Sequence, residues 1–241
     1  MKMYRFLAIA VISVFTVLSV NGQTADEIIG NYVGAIGGKD VVKQIKSLIT
    51  ESNMSVMGME IVSKSIILNG VGLKQEMEVM GSKNVTCVTD KGGWTINPMA
   101  GSTDPTDMPE AQYKTMKLQI VIGEPFLNYP TNGFKAVLVG KEAVNGSDAF
   151  KITMTSPDNT SSDYFIDSKT FYLVKTIQKA EMQGQEMTMT ATFSDFRKAD
   201  SGYVMAYKTD TNIADQYQME SKIVKVEFNT PVSPDIFDKT K

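Results

Sequence analysis

The chain contains no histidine. Ser-His-Asp and Cys-His nucleophile systems are therefore excluded, as are the zinc sites that need imidazole. Ser47, Ser52 and Ser63 have no histidine to activate them. Arginine is nearly absent too: Arg5 and Arg197 are the two in the chain. Bidentate clamps on phosphate or carboxylate are correspondingly not expected. A single cysteine, Cys87, rules out an internal disulfide. Within Val85-Thr86-Cys87-Val88 it reads as a small packing residue on a half-buried strand. There is no basic excess either. The net charge is −3, so phosphate neutralisation is not available and nucleic acid is not an expected partner.

What is present begins with an export signal. Lys2 and Arg5 form a short basic start, and Phe6–Val20 is an apolar run of 15 residues broken only by Ser and Thr. That is short of the roughly 20 residues a spanning helix needs. Val20-Asn21-Gly22 supplies small residues at the −3 and −1 positions, so cleavage is expected after Gly22. No cysteine follows the junction to carry a lipid anchor. The reading is a signal peptide over residues 1–22 and one released periplasmic domain over residues 23–241.

The domain opens with helix. Thr24 and Glu27 have capping-box spacing, and Ile28, Ile29, Tyr32, Val33 and Ile36 fall on one helical face. Gly37-Gly38 provides a left-handed stop, and a second short helix is expected with Asp40 as its cap. From Ile49 the period becomes two. Met59, Ile61 and Ile67 oppose Glu60 and Lys64, and Leu73, Met77 and Val79 alternate with Lys74, Glu76 and Glu78. Tight-turn residues separate these runs: Met57-Gly58, Asn69-Gly70, Gly81-Ser82 and Asp90-Lys91-Gly92-Gly93. Met99–Pro109 breaks the pattern. Glu110–Ile122 then reads as an inserted amphipathic helix with Tyr113, Met116 and Ile120 on one stripe. Seven further strands follow between Phe134 and Phe228, with turns at Asn145-Gly146, Asp167-Ser168-Lys169, Gln183-Gly184 and Ser201-Gly202 among others. The expectation is a mainly β (α+β) protein, an open antiparallel sheet of roughly eleven strands with N-terminal and inserted helices.

Several stretches carry a family resemblance. They are Tyr32–Gly38, Lys91–Pro98, Val139–Gly146, Tyr164–Asp167 followed by Thr170, Phe193–Arg197, and Val226–Asn229 closing with Ile236-Phe237. In this order, and across nearly the whole chain after the leader, they resemble the LolA/LolB-like family of periplasmic lipoprotein-sorting proteins, in particular its divergent Bacteroidetes versions. The resemblance implies a half-closed β-barrel with a hydrophobic concave face and helices as a lid. It further implies a carrier of lipid or lipoprotein acyl chains, with an inner-membrane donor and an outer-membrane acceptor. A sensory or protein-interaction module on the same fold is the alternative. One feature departs from the pattern: the carriers hold the lid with a strand arginine, and this chain has none between its leader and Arg197.

Methionine is abundant, with 16 in the chain. A flexible, polarizable side chain suits a cavity that accepts acyl chains of varied shape. The expected lining is Met57, Met59, Ile61, Met77, Val79, Met187, Met189 and Phe193 on strands, Met116 and Ile120 on the inserted helix, and Trp94 as an amphipathic ring at the mouth. Asp163 with Asp167, and Asp195 with Asp200, are the only arrangements that suggest paired-carboxylate chemistry. Asp167 and Asp195 stand where turns favour such side chains. No catalytic residue, metal or cofactor is expected.

Overall fold

The computed structural model describes residues 23–56, 58–182 and 185–239. The leader with its expected cleavage point, Met57 and the expected Gln183-Gly184 turn lie outside these residues.

Helix α1 spans Ala25–Ala35 and α2 spans Gly38–Gln44. The capping box forms as the spacing predicts: the Glu27 amide donates to Thr24 Oγ1 at 3.2 Å, and the Thr24 amide donates to Glu27 Oε2 at 2.9 Å. Gly37 joins the helices at φ 117°, where a Cβ would lie 2.8 Å from the Gly202 carbonyl oxygen. Only glycine fits that approach. The turn lets α2 begin at Gly38, so Asp40 stands inside its first turn and is not the cap.

Thirteen strands follow. The first six are β1 (Ser47–Val56), β2 (Met59–Leu68), β3 (Gly72–Val79), β4 (Ser82–Thr89), β5 (Gly93–Asn97) and β6 (Ser102–Asp107). Helix α3 (Glu110–Lys117) is inserted next. The remaining seven are β7 (Lys135–Val144), β8 (Ser147–Thr155), β9 (Ser161–Asp167), β10 (Leu173–Met182), β11 (Gln185–Lys198), β12 (Val204–Ile213) and β13 (Tyr217–Phe228). The count exceeds the expected eleven partly because Ser102–Asp107 is a strand despite Asp104-Pro105. It is an edge strand, where a missing amide donor costs no ladder bond. The inserted helix is shorter than expected and passes into a 3-10 turn at Leu118–Ile120. The β2–β3 turn draws it out of the helix: Gly70 donates to the Ile120 carbonyl at 2.8 Å, and Asn69 Oδ1 accepts from the Ile122 amide at 3.0 Å.

All strands join one antiparallel sheet in the order β6-β5-β4-β3-β2-β1-β13-β12-β11-β10-β9-β8-β7. It is two meanders, β1–β6 and β7–β13, fused where the first strand pairs with the last. An open sheet of this width must curl, since twist accumulates from strand to strand. Helix α3 shows that it does: it touches both β4 and β10, seven places apart in the sheet.

Strand alternation assigns every side chain to the face that carries the helices or to the outer face. On the helix face, α1 and α2 pack Ile28, Ile29, Val33, Ile36, Val42 and Ile45 against Leu48 of β1, Phe150 and Ile152 of β8, and Tyr164 and Ile166 of β9. Phe126 and Leu127, from the segment after α3, complete that core. The outer face is covered in one place by the C-terminal tail. Phe237 lies over Gly72, where any Cβ would come within 2.8 Å of its ring.

Candidate ligand-binding face

The register shows one methionine-rich surface on the helix face, in which apolar side chains are interspersed with serine and threonine. Met59 pairs with Val56, Val56 with Met219, Met219 with Thr211, Thr211 with Ala191, Ala191 with Thr176, and Thr176 with Tyr164. The row thus runs from an open hairpin at Met59 to Tyr164 in the helix-packed core. A second row links Ile61, Met54, Ser221, Thr209 and Phe193. Met189 pairs with Ile213 on the same side, while Thr188, Thr190 and Thr192 take the outer face.

The helices fill only part of this surface. Met54, Val56, Met59, Ile61, Met77, Val79, Met187, Met189, Phe193, Ile213, Met219 and Ile223 share its face yet belong to none of the packed clusters. Most are half-buried, and Met59 is 43% exposed. Methionine dominates where no helix covers the sheet.

Helix α3 closes one side. Met116 and Ile120 pack with Tyr113 against Leu73 of β3 and Val88 of β4, on the face that also carries Met77 and Val79. The Tyr113 hydroxyl lies 3.1 Å from the Thr89 carbonyl oxygen and 2.8 Å from that of Asp90, fixing the helix to the β4–β5 turn. From there α3 reaches across to β10. Beside α1, Phe126 meets Tyr32 at a tilt and Tyr164 edge to face, each with ring centroids 4.9 Å apart. Burial pushes the Tyr32 and Tyr164 phenols above the ordinary range and Tyr203 up to about 12. A cleft of about 510 Å³ lies between α1 and this segment, lined by Ile29, Val33, Phe126 and Leu127 among others.

Of the residues singled out in the sequence, Met59, Ile61, Met77, Val79, Met116, Ile120, Met187, Met189 and Phe193 occupy this one face. Trp94, expected at the mouth, is on the opposite face and takes no part in the lining. It pairs with Cys87 on the outer face and packs under the tail with Val85 and Phe237. Its indole N–H donates to the Phe237 carbonyl at 3.0 Å, and the Cys87 thiol donates to the same oxygen at 3.4 Å. Cys87 is fully buried, and burial raises its thiol to about 11. Met54, Val56, Ile213, Met219 and Ile223 were not anticipated. Their alternation is present in the sequence, but serines and threonines share their face.

Asp163, Asp167 and Asp195 make their contacts within the sheet and its turns. Asp163 pairs with Lys151 at 3.1 Å and accepts from Thr153 Oγ1 at 2.6 Å. Asp167 accepts from the amides of Lys169 and Thr170 and from the Thr170 hydroxyl, and these bonds hold its carboxyl below the usual range against the cost of burial. Arg197 binds Asp195 through two nitrogens, at 2.9 and 2.6 Å, and stacks over Tyr207, so these contacts are to the sheet and not to α3. No group of three or more His, Cys, Asp or Glu side chains suited to a metal ion occurs among the described residues.

The sequence matches no family profile and no curated protein. The fold does have solved relatives. A domain assigned to outer membrane lipoprotein sorting from Vibrio parahaemolyticus superposes with a TM-score of 0.58 at 15% identity, covering 90% of this chain and 97% of that one. A LolA superfamily protein from Nitrosomonas europaea gives 0.59 at 11% identity, with 91% and 99% covered. A DUF1329 family protein from Desulfovibrio piger gives 0.62 at 12% identity, with 91% and 99% covered. These likenesses define the structural class, an open antiparallel half-barrel with helices on one face. The chain shares this fold with the LolA superfamily protein, as the sequence resemblance implies.

Proposed function

We propose that the protein is an exported binder and carrier of acyl chains, taking lipid or the lipid moiety of a lipoprotein onto the helix face of its sheet. One observation carries this reading: a largely apolar surface, interspersed with serine and threonine, is capped by helices at one end and left to methionines at the other, with α3 bridging β4 and β10 above it. Moving an acyl chain from water is worth about 0.8 kcal/mol per CH₂. A cargo that comes from a bilayer gains little on entering an apolar protein cavity, so a soft lining can hold it and still release it. The basic start and short apolar run of residues 1–20 support a periplasmic site of action. The fold shared with a lipoprotein-sorting domain supports the cargo class.

A second reading, recognition of a protein partner without transport, has its own observation. Three hairpin ends of the β1–β6 half present exposed methionines: Met59, Met80 at 82% and Met99 at 63%. The experiment that separates the two is a lipid extract of the native protein, purified without detergent and analysed by mass spectrometry. Stoichiometric phospholipid or fatty acid supports the carrier. A lipid-free protein that also takes up no lipid from vesicles contradicts it.

A further inference from the structure

A second concavity lies on the outer face. It is a groove of about 800 Å³ at the far ends of β1, β11, β12 and β13. The register places its walls opposite the methionine surface: Thr190 pairs with Asn212, Thr192 with Asp210, and Asp210 with Glu220.

Its chemistry differs from that of the helix face. Met219 borders the groove but its side chain belongs to the helix face, so among the described residues no apolar side chain points into the groove and hydrocarbon has nothing to bury against. Phosphate is disfavoured as well, because the nearby lysines are committed to carboxylates. Lys208 holds Asp210 at 3.3 Å and Glu220 at 2.7 Å, and Lys222 holds Glu220 at 2.6 Å. Lys208 and Lys222 hold the Glu220 carboxyl down at about 2 and offset the charges of Glu220 and Asp210, which leaves Asp215 as the uncompensated carboxylate of the lining. What remains is a set of uncommitted hydrogen-bonding groups. The hydroxyls of Ser55 and Thr190, the amides of Gln216 and Gln218 and the carboxylate of Asp215 line the groove and make no hydrogen bond or ion pair among the described residues. A primary amide offers a donor and an acceptor side by side, and a carboxylate accepts from two neighbouring hydroxyls. That combination matches the vicinal hydroxyls of a sugar ring.

The geometry points to a saccharide-binding groove on the outer face, separate from the acyl surface and independent of it. The groove takes an uncharged, hydroxyl-rich ligand, and with no aromatic ring in its lining its affinity is weak, of about millimolar order.

The test is NMR titration of isotope-labelled mature protein with three probes, maltotetraose, chitotetraose and cellotetraose, and with a serine–glycine peptide as a fourth. At least one oligosaccharide is expected to shift the side-chain amide signals of Gln216, Gln218 and Asn212. Thr190→Glu should abolish those shifts, and the exposed change Gln218→Ala should weaken them several-fold in a folded protein. Thr188→Ala, on the same face but outside the groove, should leave them intact. Three results would overturn the inference: no shift with any oligosaccharide, shifts elsewhere that survive Thr190→Glu, or groove shifts with the peptide alone.

Discussion

At the scale of single residues, the two faces of the sheet use different chemistry for different ends. Cys87, Trp94 and the Phe237 carbonyl form a closed polar contact inside an apolar cluster on the outer face. Cys87→Ser keeps a donor for that carbonyl but places a hydroxyl in the cluster. It is expected to cost about 1–2 kcal/mol in urea unfolding and leave ligand retention unchanged. Because Trp94 reports on the tail, its fluorescence should respond to unfolding and not to an acyl ligand. Asp167 makes a second structural contact, accepting three hydrogen bonds in the β9–β10 turn. Its carboxyl is depressed in the fold. The stabilisation is therefore present above the unfolded carboxylate value, about 3.9, and lost as pH falls through the lower folded value. Asp167→Ala should cost about 2 kcal/mol at neutral pH, and the difference from the parent should shrink in strong acid.

At the scale of elements, the segment from α3 to β7 joins α3 to the core. Glu124 lies on it, with Oε1 accepting from Asn128 at 2.7 Å and from Asn132 at 3.3 Å, while the buried Oε2 has no partner among the described residues. Burial raises its carboxyl despite those bonds. The sign is opposite to that of Asp167. The fold favours the protonated form, so stability declines as pH rises from the unfolded carboxylate value, about 4.3, through the raised folded value. Glu124→Gln should flatten that slope, read as the urea midpoint across mildly acidic to neutral pH. An unchanged slope would mean that the carboxyl is not the group responsible. The existence of this inserted helix was legible in the sequence, since Tyr113, Met116 and Ile120 share a helical stripe. Its early end was not, because the hydrogen bonds from Asn69 and Gly70 that stop the helix come from a turn some fifty residues earlier in the chain.

At the scale of the whole molecule, period-two alternation made most of the sheet readable and also sorted its faces. Met59 with Ile61, Leu73 with Met77 and Val79, and Met187 with Met189 and Phe193 each fall together because a strand preserves side-chain parity. Parity does not say which face is which. Trp94 was placed wrongly for that reason: the outer face is apolar there only because a tail more than 140 residues away covers it. Met54, Met219 and Ile223 escaped notice because Ser52, Ser63, Ser221 and Thr209 stand on their face and dilute the apolar signal. The central claim is that this mixed, methionine-rich surface receives acyl chains. A glutamate at Met189 would set an unpaired charge against them, and its desolvation costs several kcal/mol. The control is Thr188→Glu, one residue away on the exposed outer face. With folding checked by circular dichroism, both variants and the parent are titrated with a fluorescent fatty-acid probe. The parent and Thr188→Glu should bind alike, and Met189→Glu should bind at least about tenfold more weakly. Equal binding by the two folded variants, or no binding by the parent, would contradict the account.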